Sequence, residues 1–155
     1  MKKIASFTVN HDILQKGLYT SRIDGDVTTY DVRMVRPNHP PFLETAAMHT
    51  LEHLFATYVR NSRFASEVIY VGPMGCRTGF YFLCRSIAPA DVIALLQETF
   101  GFIAGFAGEI PGAAASECGN YLEHDLEGAK AIARDMTGVL KSWTVPMLAY
   151  SYFAS

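Results

Sequence analysis

Ala46-Ala47-Met48-His49-Thr50-Leu51-Glu52-His53-Leu54-Phe55-Ala56 (AAMHTLEHLFA) lies inside an apolar run from about Leu43 to Arg60. The pattern predicts a helix that is apolar nearly all round and therefore buried at the centre of the fold. Two imidazoles and a carboxylate in such a helix need partners, because burying a polar group unpaired costs about 1–3 kcal/mol, and a charged one more. Residues three and four apart share a helix face. His49 and His53 are four apart and Glu52 lies three beyond His49, so all three project to one side. Imidazoles at that spacing can grip one metal ion while the adjacent carboxylate handles protons, the H-x-x-E-H order of one metallopeptidase class. Core histidines satisfied by backbone carbonyls would account for one buried His better than for two beside a Glu.

Outward from this helix, the flanking segments read as strands. ASFTV (5–9), GLYTSRI (17–23) and VTTYDVRMV (27–35) alternate and are rich in β-branched residues, with Asp24-Gly25-Asp26 as the turn joining the last two. RPNHPP breaks the chain before the helix. SEVIYVG (66–72) and TGFYFLCRS (78–86) read as two more strands around the turn GPMGCR. Pro89 and Asp91 open a second helix through DVIALLQETFGFIAGF, and the loop GEIPGAAASECGN follows. A last amphipathic helix starts near Asp125, with Leu126, Ala129, Ile132, Ala133, Met136, Val139 and Leu140 on its apolar side. Five strands and three helices without regular alternation predict an α+β fold, a largely antiparallel sheet against a central buried helix and two further helices.

The whole chain, 1–155, is expected to form one domain, since 155 residues at 50% hydrophobic content suffice for a single core. A net charge of −2 gives no electrostatic footprint for nucleic acid or an anionic membrane. No run of about 18 apolar residues suggests a membrane span, and the start lacks the apolar region of a signal peptide, so a cytoplasmic protein is expected. The three cysteines are widely spaced with no CxxC pair, which argues against a disulfide framework.

Two imidazoles need a third ligand. Cys118, Cys76, His11, His39, His124 and the acidic residues are the candidates, and spacing alone does not choose among them. Cys118 stands in a loop of small residues that can bend a thiolate towards the helix. Cys76 stands in a tight turn, accessible and next to Arg77, whose charge would favour a thiolate. Cys84, among large apolar residues, reads as a core thiol.

Taken together, His49-Thr50-Leu51-Glu52-His53, PMGCRTGFY, Cys118-Gly119 and HDLEGAK resemble the S-ribosylhomocysteine lyase (LuxS) family over nearly the whole chain. YDVRMVRPN resembles the family's Asp-x-Arg…Pro-Asn segment. The resemblance implies a cytosolic homodimer with two active sites at the subunit interface and no role for nucleic acid or membrane. It implies one Fe²⁺ per subunit, with Zn²⁺ or Co²⁺ able to occupy the site. The reaction implied splits S-ribosyl-L-homocysteine into L-homocysteine and 4,5-dihydroxy-2,3-pentanedione, the autoinducer-2 precursor, and so serves the activated methyl cycle and quorum sensing. His49, His53 and Cys118 match the metal ligands, Glu52 a catalytic acid/base and Cys76 the catalytic thiol. Ser6, His11 and Arg33 match substrate-reaching residues from the partner subunit, and Arg60 matches a family arginine. Tyr70 stands where the family has an acidic residue, Gly72 where it commonly has Ser, and His39 where it commonly has Lys.

This assignment is chemically coherent, because moving a carbonyl along the ribose needs acid/base groups at different carbons and a Lewis acid for the enediolate. Two other classes remain open to the residues alone. A metallopeptidase predicts a hard third ligand such as Glu; a structural-zinc module predicts four protein ligands and indifference to Glu52.

Overall fold

The protein is described from a computed structural model covering residues 1–154. Strands β1 (Gly17–Asp24) and β2 (Val27–Arg33) form a hairpin, with Gly25 at φ +62° in the two-residue loop. That left-handed conformation is cheap only for residues such as glycine, so the predicted turn forms where its chemistry allows. Helix α1 (Thr45–Val59) follows, then β3 (Val68–Pro73) and β4 (Gly79–Arg85), helix α2 (Pro89–Ala104) and helix α3 (Leu126–Leu140). The sheet runs β1-β2-β4-β3, every pair antiparallel, and the α+β prediction holds.

Strand alternation assigns the two faces of the sheet. Leu18, Tyr30, Val32, Phe80 and Phe82 are buried on the helix side. Phe55 of α1 anchors that core, its ring 6.0 Å from Phe80, 6.1 Å from Phe82 and 5.6 Å from Phe100 of α2. Burying side chains of this size contributes roughly 1.5–3 kcal/mol each, which fixes the register of α1 and hence of its polar teeth. Cys84 is buried as expected, and burial pushes its thiol up to about 11. The opposite face carries Thr29, Arg33, Asp31, Tyr81, Leu83 and Tyr70. Its β2 end is roofed by the C-terminal 3₁₀ turns (Val145–Leu148 and Tyr150–Phe153), with Tyr150 stacked on Tyr19 at 5.1 Å. Elsewhere it is open, with Tyr70 52% exposed.

One predicted strand does not form. Ala5–Phe7 is a 3₁₀ turn, and the expected strand over 5–9 is absent, leaving four strands among the described residues. Local bonds satisfy this backbone instead: Phe7 N–H donates to Ile4 O and Thr8 N–H to Ala5 O, each at 3.0 Å, and the Thr8 hydroxyl donates to Ala5 O at 2.6 Å. A threonine that bonds its own preceding backbone competes with ladder pairing, and Phe7 stays 64% exposed.

Candidate active site

Helix α1 presents His49, Glu52 and His53 along one half-buried edge, facing the long connection from Gly105 to Asp125. That connection is shaped to meet them. The Glu123 carbonyl accepts from His49 Nδ1 at 2.7 Å, and the Pro111 carbonyl accepts from His53 Nδ1 at 2.8 Å. A carbonyl can only accept, so both Nδ1 atoms carry a proton, and in the neutral rings it is Nε2 that offers the lone pair. His124 is held by a hydroxyl instead, its Nδ1 2.9 Å from Thr50 Oγ1, which accepts the Asp125 N–H at 2.9 Å. Asp125 in turn caps α3 by accepting from Gly128 N–H at 2.9 Å.

These constraints converge on Cys118. Its Sγ lies 3.4 Å from His49 Nε2, 3.9 Å from His53 Nε2 and 4.0 Å from His124 Nε2, and the four donor atoms fall within 4.8 Å of one another. Tetrahedral bonds of about 2.3 Å to sulfur and 2.0 Å to nitrogen would separate the donors by roughly 3.3–3.5 Å, so the group, with small adjustments, fits one transition-metal ion. The backbone carbonyls behind the rings are the outer partners such a site needs. Burial, followed by the neighbouring imidazoles of His49 and His53, holds His124 below the usual histidine range and favours the neutral, ligating form. His124, a candidate for the third ligand, therefore arrives as a fourth donor alongside Cys118. The signal available in the sequence was its place six residues after Cys118 in the same loop.

Glu52 is half-buried and has no hydrogen-bond partner among the described residues. Cys76 lies elsewhere, exposed in the turn between β3 and β4. Its position depends on Gly79: a Cβ there would run into the Val32 carbonyl, so only glycine lets β4 close on β2 with Gly79 opposite Arg33. That register sets Thr78 against Arg33. Arg33 Nη1 donates to Thr78 Oγ1 at 2.7 Å, and Cys76 Sγ is 3.1 Å from the same oxygen. Arg33 also donates to Asp31 through Nε at 3.1 Å and Nη2 at 2.7 Å, and Tyr150 donates to Asp31 at 2.8 Å. Burial alone would lower Arg33, but Asp31's charge and hydrogen bonds outweigh it and hold the guanidinium above its ordinary value. Burial, then the Asp31 charge, pushes the Tyr150 phenol far up, so it stays a donor.

Ser6, His11, Arg33, Cys76, Thr78 and Tyr150 line one cavity of about 480 Å³. The structure thus unites three expected substrate residues with the expected catalytic thiol. His11 has its Nδ1 fixed on the Val9 carbonyl at 2.8 Å. Arg60 does not line this cavity; it ends α1 and donates to the Ile69 carbonyl at 3.0 Å. Arg77 turns away from Cys76 to donate to the Leu43 carbonyl at 3.1 Å, so the guanidinium linked to the thiol is that of Arg33. Tyr70 and Gly72 go together, because a Cβ at Gly72 would run into the Tyr70 ring.

The family model described as S-Ribosylhomocysteinase (LuxS) matches residues 4–145. The chain belongs to the LuxS family. Curated S-ribosylhomocysteine lyases are similar over nearly their whole length. The one from Clostridium acetobutylicum is 49% identical, over 97% of this chain and 99% of its own. That from Phocaeicola vulgatus is 49% identical over 97% and 98%, and that from Desulfotalea psychrophila 46% over 97% and 99%.

Proposed function

We propose that the chain is a metal-dependent carbon–sulfur lyase that splits S-ribosyl-L-homocysteine into L-homocysteine and 4,5-dihydroxy-2,3-pentanedione. The observation that carries this reading is the convergence of Cys118 with the two helix imidazoles, in a LuxS-family chain. His49, His53 and Cys118 would hold one ion per subunit, since imidazole nitrogen and thiolate sulfur suit transition metals; the family reading makes it Fe²⁺, with Zn²⁺ or Co²⁺ able to replace it. When bound, such an ion supplies Lewis-acid stabilisation of the enediolates that form during carbonyl migration.

The chain's own residues move the protons. One base removes the proton at C2 of the ribose and one acid returns a proton to C1, so the carbonyl passes from C1 to C2. The same exchange at C3 and C2 brings the carbonyl to C3. Loss of the C4 proton then expels homocysteine thiolate from C5, and the enol left behind takes up a proton at C5 to give the diketone. Glu52, unpartnered beside the donors, and Cys76, across the substrate, divide these transfers between two positions. Arg33, His11 and Ser6 anchor the ribose and homocysteine polar groups, and Arg60 lies outside that set in one chain.

Neither Glu52 nor any of the four metal donors lines the Cys76 cavity among the described residues. We infer that one chain contributes the metal half and its partner the Cys76, Arg33, His11 and Ser6 half, in a homodimer. The uncovered sheet face bearing Tyr81, Leu83 and Tyr70 supports that assembly. No helix among the described residues is long and apolar enough to cross a membrane. The family reading places the enzyme in the cytoplasm. Service to quorum sensing as well as homocysteine recycling belongs to the same reading.

One observation favours a second reading. His124 makes four protein donors, the number a closed structural zinc site uses. Thiol release separates the two: purified protein loaded with Fe²⁺ anaerobically should release one thiol per S-ribosylhomocysteine, and Glu52→Gln should abolish release while keeping the ion. Metal-loaded protein that releases no thiol would leave the structural site.

A further inference from the structure

We propose that Thr78 is a positioning residue that donates its hydroxyl proton to the Cys76 thiolate, with its oxygen held for that bond by Arg33. This rests on the reading of Cys76 as an acid/base group. The direction follows from valence. A guanidinium has only donors, so in the 2.7 Å contact between Arg33 Nη1 and Thr78 Oγ1 the hydroxyl oxygen must accept. A thiolate likewise can only accept, so when Cys76 is ionised the single hydroxyl proton goes to its Sγ, the other close partner at 3.1 Å. Thr78 is 3% exposed, so bulk water does not compete for that proton.

The residue itself is pinned. Its carbonyl accepts both Met34 N–H at 2.8 Å and Val35 N–H at 2.9 Å, which ties it to the end of β2. Its branched Cβ restricts χ1, so the hydroxyl keeps its aim. A chain of oriented bonds results: Tyr150 to Asp31, Arg33 to Asp31, Arg33 to Thr78, and Thr78 to Cys76. A hydrogen bond donated to sulfur stabilises the thiolate over the thiol and fixes where its lone pair points. The other groups facing this sulfur across the cavity are Arg33 and Asp31 of β2, His11 of the N-terminal segment, Tyr81 of β4 and Tyr150 of the C-terminal turn. Asp31 is matched by Arg33 at 2.7 Å, and the hydroxyl is the group that delivers the arginine's polarity to the thiol.

The test is the pH profile of iodoacetamide alkylation at Cys76, read by mass spectrometry of its peptide in Zn²⁺-loaded protein. Thr78→Val keeps the shape and removes the donor, and the pH of half-maximal alkylation should rise by about one unit, as for loss of a hydrogen bond to an anion. Thr78→Ser, which keeps the hydroxyl, should restore the profile. Thr78→Ala is the second hydroxyl-free variant and gives the same reading if the valine variant does not fold. A wild-type profile in the hydroxyl-free variants, or equal displacement in the serine variant, overturns the proposal. The underlying reading is tested separately by turnover of Cys76→Ala: wild-type turnover there removes the catalytic role of the thiol, while the alkylation profile still reports the Thr78 bond.

Discussion

Tyr150→Phe removes one oxygen from the site and little else. The ring stacks on Tyr19 at 5.1 Å, and phenylalanine keeps that contact. What disappears is the 2.8 Å bond to Asp31, a carboxylate 1% exposed. Asp31 keeps both Arg33 donors, so its charge is still paired and the large penalty of an orphaned buried charge does not arise. The expected loss is that of one hydrogen bond to a charged group, about 1.5–3 kcal/mol. For a chain of this size that lowers Tm by roughly 3–12 °C. Urea unfolding at fixed protein concentration, wild type against Tyr150→Phe, measures it directly. Because Arg33 and Thr78 keep their places, thiol release should fall far less than stability. A loss below about 0.5 kcal/mol would refute the claim that the C-terminal turn holds the Asp31–Arg33 pair through this bond. Abolished turnover in a stable Tyr150→Phe protein would refute the view of Tyr150 as a support.

Further outcomes follow from the same geometry. Cys118→Ala should lose the ion at concentrations where wild type holds one per chain, whereas His124→Ala should retain it on the remaining donors; metal analysis after gel filtration decides both. Cys76→Ala should keep the metal and the fold while turnover falls at least about 10²–10⁴-fold, the usual effect of removing an acid/base group. Cys84, which burial raises from 9.0 to about 11, contributes stability that is complete below pH 9 and lost as pH rises through 11. Tyr30, pushed up by burial to about 12 from 10.0, extends that window, so melting temperature should decline from about pH 9 upward.

How much of this was legible depended on whether the signal was local. The helix of His49, Glu52 and His53 was visible because a 3.6-residue period and four-residue spacing are properties of one short segment. The hairpin at Gly25 and the cap at Asp125 were visible for the same reason. Segment 5–9 has the composition of a strand, but Thr8 bonds its own backbone, and composition does not report that choice. Convergence of Cys118 on the helix rests on carbonyls of Pro111 and Glu123 orienting the rings across a long loop, which no spacing encodes. The cation linked to Cys76 read as Arg77 from adjacency and is Arg33 in space. The β2–β4 register sets Arg33 against Thr78 across 45 positions of sequence, and Arg77's positive φ of 59° turns it to Leu43.

In the proposed dimer each active site joins the metal half of one chain to the Cys76 half of another. Glu52→Gln and Cys76→Ala are each expected to be inactive as pure proteins. Mixed in equal amounts and allowed to exchange subunits, half the dimers become hybrids, and each hybrid carries one site with both Glu52 and Cys76 intact. Thiol release from S-ribosylhomocysteine should therefore recover to about a quarter of the wild-type rate, as two-fold symmetric shared sites require. No recovery, with hybrids confirmed by native mass spectrometry, would contradict the account.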